Sequence, residues 1–156
     1  YDNDVIIEHA VTDSLTSYEA PVALRYDIKF GKEQADILYL NPLIAAERFK
    51  QNPFKSTDRQ YPVEVPYKIN EIYTLTMPVP DGYITDEVPK SVMLKMNEAD
   101  DVLYEYRITL SGGYISVRCR FQVNKTLFQP SEYNGLREFF NRVVAKQNEQ
   151  IVFKKK

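Results

Sequence analysis

Apolar and polar residues alternate with a period of two along much of the chain, the signature of strands with one wet face. The clearest run sets Val22, Leu24, Tyr26, Ile28 and Phe30 against Ala23, Arg25, Asp27 and Lys29, and predicts a strand ended by Gly31. Before it, residues 5–11 (VIIEHAV) predict a half-buried strand, followed by the polar loop DSLTSYEAP. After it, ADILYLNPLI predicts a shorter strand ending at Asn41-Pro42, and IAAERFKQ suits one or two helical turns before Pro53 stops them.

Residues 53–90 hold six of the nine prolines. Proline breaks helix interiors and is tolerated where strands start, end or lie at sheet edges. Val63 and Val65, between Pro62 and Pro66, predict a short edge segment. EIYTLTMPV predicts a full strand with Tyr73, Leu75, Met77 and Val79 on one face and Thr74 and Thr76 on the other. Pro80-Asp81-Gly82 reads as a turn in which Gly82 is free to take positive φ, and a further strand runs from Tyr83 to near Pro89.

KSVMLKMN predicts the next strand, with Glu98, Asp100 and Asp101 in its hairpin loop. Residues 103–110 and 114–124, joined at Ser111-Gly112-Gly113, predict a second hairpin. Ile115, Val117, Cys119, Phe121 and Val123 take its core face, leaving Ser116, Arg118, Arg120 and Gln122 on the other. The period then changes. Pro130 suits a first helical position, Glu132 complements the helix start, and Tyr133, Leu136, Phe140, Val143 and Gln147 recur every three or four residues, widened by Phe139 and Val144. Arg137, Arg142 and Lys146 are expected on the outer face of this helix, and QIVFKKK predicts a last short strand. The expected fold is mainly all-β: an immunoglobulin-like antiparallel β-sandwich of about eight or nine strands with one C-terminal amphipathic helix. No repeat or linker divides residues 1–156, which read as a single domain.

Composition narrows the function classes. The formal net charge is −2 and basic residues are spread out except for Lys154, Lys155 and Lys156, so no nucleic-acid partner is expected. No apolar run approaches the roughly 20 residues of a membrane-spanning helix, so the chain is expected not to span a membrane. YDNDVIIEHA lacks the basic start and apolar core of a signal peptide, and the chain begins at Tyr1, which suggests a fragment of a larger multidomain protein. Cys119 is the only cysteine, which excludes an intrachain disulfide and a cysteine-built metal site.

Candidate chemistry is sparse. A nucleophilic Cys119 needs a base, and His9 is the only histidine; a thiol between Val117 and Phe121 on an apolar strand face behaves as a small hydrophobe. His9 alone builds no zinc site, and Glu98, Asp100 and Asp101 lack the layout of a calcium loop. No residue pair points to glycoside hydrolysis. Asn124-Lys125-Thr126 matches a glycosylation sequon, a frequent chance occurrence, and Gly112-Gly113 has no phosphate-loop context. The expectation is no catalytic residue, no metal ligand and no cofactor. Tyr61, Tyr67 and Tyr83, in proline-bordered positions, are the interaction candidates, able to stack on a sugar or a partner if exposed.

The pattern NPFKSTDRQYPVEVPYKINEIYTLTMPVPDGYITDEVPKS resembles one that opens the C-terminal domain of bacterial proteins with a transglutaminase-like, papain-related core. Phe54, Arg59, Pro62, Tyr67, Tyr73, Pro80, Gly82, Tyr83, Pro89 and Lys90 carry the likeness. EYNGLREFFNRVVAKQNEQIVFKKK resembles the closing helix and strand, through Tyr133, Leu136, Phe139 and Phe140. The likeness covers residues 36–156, with the first 35 fitting as preceding strands. It implies a domain of unassigned function that follows the catalytic core of exported proteins, in the periplasm or cell envelope of Gram-negative bacteria. The core's Cys, His and Asp would lie upstream, and neither Cys119 nor His9 matches them. The implied role is a non-catalytic accessory domain, not an enzyme, whose partner is the preceding transglutaminase-like domain. The alternative is an independent carbohydrate- or protein-binding module that meets an envelope protein or glycan. Arg59, between two turns, joins the tyrosines as an interaction candidate, pairing internally or meeting a neighbouring domain.

Overall fold

A computed structural model describes residues 5–20, 22–30, 35–43 and 49–156. In chain order the strands are β1 (Val5–Asp13), β2 (Ala23–Phe30), β3 (Ile37–Leu40), β4 (Val63–Glu64), β5 (Ile69–Pro78), β6 (Tyr83–Glu87), β7 (Val92–Lys95), β8 (Val102–Ser111), β9 (Tyr114–Val123) and β10 (Leu127–Phe128). A 3-10 turn (Pro130–Glu132), helix α1 (Tyr133–Gln147) and β11 (Ile151–Lys155) follow. All strand pairs are antiparallel, so the fold is mainly all-β with one C-terminal helix, consistent with a β-sandwich. The chain forms two compact units, Tyr1–Ala35 and Asp36–Lys156.

In the first unit β1 pairs with β2 from Val5↔Phe30 to Asp13↔Ala23, and the register slips between Glu8 and Val11. His9 stands at that slip with φ 51, and its Nδ1 lies 2.9 Å from Asp27 Oδ2. Ion pairs Lys29–Glu8 (2.6 Å) and Arg25–Asp13 (3.1 Å) brace the ribbon. The alternation at 22–30 predicted one buried face, yet Val22 and Leu24 are exposed. A two-stranded ribbon has no second layer of its own in which to bury them. The stop expected at Gly31, and residues 44–48 of the expected helical turns, lie outside the described residues.

The second unit is built on a four-stranded sheet of order β5-β9-β8-β7. Gly112 and Gly113, at φ 58 and 77, form the two-residue turn between β8 and β9. Both φ values fit the tight turn that follows the right-handed strand twist. The register it sets places Ile115, Val117, Cys119, Phe121 and Val123 on the inner face, and all five are buried. A three-stranded sheet, β3-β11-β6, contributes Leu40, Ile151 and Phe153 to the core. Gly82, at φ 83, leads into β6 as its turn predicted, and the Tyr83 N–H donates to the Pro80 carbonyl (3.1 Å). The short pair β4–β10 raises the strand total to eleven among the described residues.

Helix α1 buries Tyr133, Leu136, Phe139, Phe140 and Val143, the stripe its periodicity predicts. Phe140 is the hub of an aromatic cluster. Its ring lies edge-on to Phe49 and Phe54 (both 5.0 Å between centroids), Phe139 (5.7 Å) and Phe121 of β9 (5.9 Å). Each such contact adds roughly 0.5–1.5 kcal/mol beyond area burial. The segment bearing Phe54 is strapped to the helix by hydrogen bonds as well: Asn52 Nδ2 donates to the Arg137 carbonyl (2.8 Å), and Tyr133 Oη to the Ser56 carbonyl (2.9 Å). Lys146, expected on the outer face, is buried. Its Nζ sits 4.9 Å from the Tyr106 ring centroid and 2.5 Å from Glu149 Oε2. Its aliphatic stem covers apolar surface while the charge keeps a carboxylate and an aromatic face.

Candidate functional site

The four-stranded sheet has a second, outer face. Pairing of β5 with β9 and of β9 with β8 lays its side chains in rows across the strands. One row is Thr76, Ser116 and Thr109; the next is Thr74, Arg118 and Arg107; the third is Ile72, Arg120, Glu105 and, on β7, Met93. A shallow open concavity lies over the first two rows, lined by Thr74, Thr76, Arg107, Thr109, Ser116 and Arg118.

Glu105 is the fixed point of this face. Only 8% of its side chain is exposed, against 64% for Arg107 and 40% for Arg118. Arg107 Nε donates to one carboxylate oxygen at 2.5 Å and Arg118 Nη1 to the other at 2.6 Å. Burial by itself disfavours the charged carboxylate, but the hydrogen bonds and charges of the two guanidiniums outweigh it and hold the Glu105 pKa below its ordinary value. Arg120 Nε donates to Asn70 Oδ1 (2.9 Å), so a third guanidinium on this face has a neutral partner. Lys95 is matched by Asp100 (2.8 Å).

The inner face carries a buried polar group beneath the helix. Tyr104 and Tyr106 of β8, Cys119 of β9 and Gln147 of α1 are all buried. The hydroxyls of both tyrosines and Oε1 of Gln147 make no hydrogen bond of good geometry among the described residues. Burial raises the pKa of both tyrosines; the thiol beside Tyr104 adds to its shift, and Glu149 to that of Tyr106. Burial also pushes the Cys119 thiol up, more than the neighbouring Tyr104 hydroxyl and the Arg118 charge lower it. A thiol held protonated is a poor nucleophile.

Arg59 is exposed and donates from Nε to the carbonyl of Tyr61 at 3.1 Å, an internal pairing within its own turn. Tyr61 and Tyr67 flank β4 and are 77% and 66% exposed. Tyr83 opens β6 in the three-stranded sheet, where a strand start was expected, and is half-buried. In the acidic hairpin loop Asp100 pairs with Lys95, and Asp101 accepts from Asn97 Nδ2 (2.7 Å). The sequon residue Asn124 donates to the Asp100 carbonyl (2.7 Å) and accepts from Gln122 (2.8 Å), which ties its amide into the same loop. Among the described residues no group of three or more His, Cys, Asp or Glu is placed to hold a metal, and no helix is long and apolar enough to cross a membrane. Sequence reasoning missed Glu105, Arg107 and Arg118. The signal was there: a two-residue Gly-Gly turn fixes the register, which puts Arg107 opposite Arg118 and Glu105 opposite Arg120.

Fold and site together define a mainly-β antiparallel domain, closed by one helix, that presents an arginine-bearing polar sheet face. The chain belongs to the family described as "Domain of Unknown Function with solved-structure structure (DUF3858)", whose profile matches residues 36–153. That span falls within the second unit and leaves out β1 and β2. No curated protein matches the chain. Among solved structures it is similar to a crystal structure described as that of a "putative protease" from Parabacteroides distasonis, with TM-score 0.53 and 22% identity over 64% of this chain. The match spans 19% of that protein's chain, and at this identity it is a likeness of fold.

Proposed function

We propose that residues 36–156 form a non-catalytic accessory domain of a larger, protease-like protein, packing on its catalytic core or helping to recruit substrate. The observation that carries this reading is one of proportion: the similar fold is 19% of the chain of the Parabacteroides distasonis protein. The state of Cys119 supports it, since the thiol is buried and its pKa is raised by that burial. At a finer level, the core is transglutaminase-like and papain-related, with its Cys, His and Asp outside this chain. The whole protein is exported to the periplasm or cell envelope of a Gram-negative bacterium. The residue pattern around Phe54, Arg59 and Tyr83 supports that level, and in it Arg59 is a candidate contact with the core. The test is an assay of this chain alone for amidase and transglutaminase turnover. None is expected, and clear turnover that is lost in Cys119→Ala would contradict the reading.

A second reading, an independent carbohydrate- or protein-binding module of the cell envelope, is favoured by the exposure of Tyr61 and Tyr67 on either side of β4. Tyr83, half-buried in the three-stranded sheet, does not share that exposure. Glycan-array binding that is lost in Tyr61→Ala and Tyr67→Ala would move the assignment to this reading.

A further inference from the structure

We propose that the arginine row on the outer face of the four-stranded sheet binds a carboxylate presented by an acidic segment of a partner polypeptide. Like charges directly opposite each other on neighbouring strands repel. Arg107 and Arg118 are such a pair. Glu105 reaches between them from the adjacent row, but it brings one negative charge to two guanidiniums. The pair is left one anion short.

The donors for a second carboxylate are in place. Arg107 gives Glu105 only Nε and Arg118 only Nη1, and the remaining N–H groups of both make no hydrogen bond to another described residue. A guanidinium fork pairs a carboxylate through two parallel hydrogen bonds, a geometry that a lysine does not offer. Beside the forks, the hydroxyls of Thr76, Thr109 and Ser116 border the concavity and likewise make no hydrogen bond to a described residue. Glu105 holds the two arginines from below, so the site is ordered before anything binds, which reduces the entropic cost of association.

Charge selects the occupant. Arg120 adds a third positive charge one row away, and Lys95 is already matched by Asp100, so the excess is local to this face. The chain as a whole carries formal net charge −2 and disfavours a long polyanion. A single carboxylate, by contrast, feels the row at distances within the Debye length of about 8 Å at physiological ionic strength. An extended acidic peptide, laid over a concavity open to solvent, meets these conditions. The inference is independent of whether the domain serves a catalytic core.

The experiment titrates the chain with a fluorescent glutamate-rich peptide and with the same peptide carrying glutamine, at two salt concentrations. The acidic peptide binds, more weakly at high salt, and the glutamine peptide does not. Arg107→Gln and Arg118→Gln each weaken binding by about tenfold. Thermal unfolding confirms that each variant is folded. Should Arg118→Gln fail to fold, Arg107→Gln, on a side chain 64% exposed, carries the test. Equal binding of the two peptides, no binding of either, an unchanged affinity in Arg107→Gln, or tighter binding of a single-stranded oligonucleotide would each overturn the proposal.

Discussion

Phe140 touches four aromatic rings drawn from the helix, from β9 and from the segment before β4. Truncating it removes the joint between these parts, so Phe140→Ala is expected to cost about 3–5 kcal/mol, read as a lowered urea midpoint. Phe54, a residue of the proline-rich stretch, is one of those partners, which identifies that stretch as core scaffold. Charge gives a second prediction at this scale. Glu105 and Glu132 both have pKa values below the ordinary 4.5, in Glu105 because two arginines outweigh burial and in Glu132 chiefly through its hydrogen bond to Lys125. A lowered folded-state pKa stabilises the fold above the unfolded value and loses that stabilisation as pH falls through the folded value. The unfolding midpoint therefore declines below pH 4.5, and Glu105→Gln declines less over the same interval. Lys125 behaves oppositely. Its pKa is raised above 10.5 by Glu132, so its contribution holds below that value and fades as pH rises through the folded-state pKa. Single-residue burial was legible in sequence where it followed a period, as for Cys119 and Val143. It was illegible for Lys146, whose place depends on Tyr106 beneath it and on Glu149 beyond the helix end.

At the scale of elements, the glycines separate backbone need from packing need. Gly113 holds φ 77 with open space where a Cβ would stand, so only backbone strain opposes a side chain there. Gly113→Ala is expected to destabilise by roughly 1–2 kcal/mol, the cost of the left-handed region to an L-residue. Gly135 lies inside α1, where an added Cβ would meet Met96 Cε at an ordinary 3.8 Å. Gly135→Ala is therefore expected to stabilise by about 0.5–1 kcal/mol. Urea midpoints moving in opposite directions for the two variants check both. The β8–β9 hairpin, β5 and the helix were readable because turn chemistry and periodicity agree there. The two-residue strand β10 was not, since it exists only through its pairing with β4 and has no pattern of its own. Ile7, Val22 and Leu24 show the converse: a clear pattern whose residues are exposed within a two-stranded ribbon.

At the scale of the whole molecule, the two compact units and the family span agree on a boundary near residue 36. That boundary had no composition shift to mark it, because Ala35 and Asp36 lie in an unremarkable stretch between strand-forming runs. The candidate site was hidden for a related reason. Arg107, Arg118 and Glu105 are spaced as ordinary outward-facing strand residues, and only the cross-strand register makes them one group. The proposed accessory role gives that group a setting in which a partner polypeptide is close at hand. Turnover is the most direct test of that role, measured for this chain alone and for the larger protein that the proposed role requires. The accessory reading predicts amidase or transglutaminase turnover by the larger protein and none by this chain. Turnover by this chain that disappears in Cys119→Ala would contradict it.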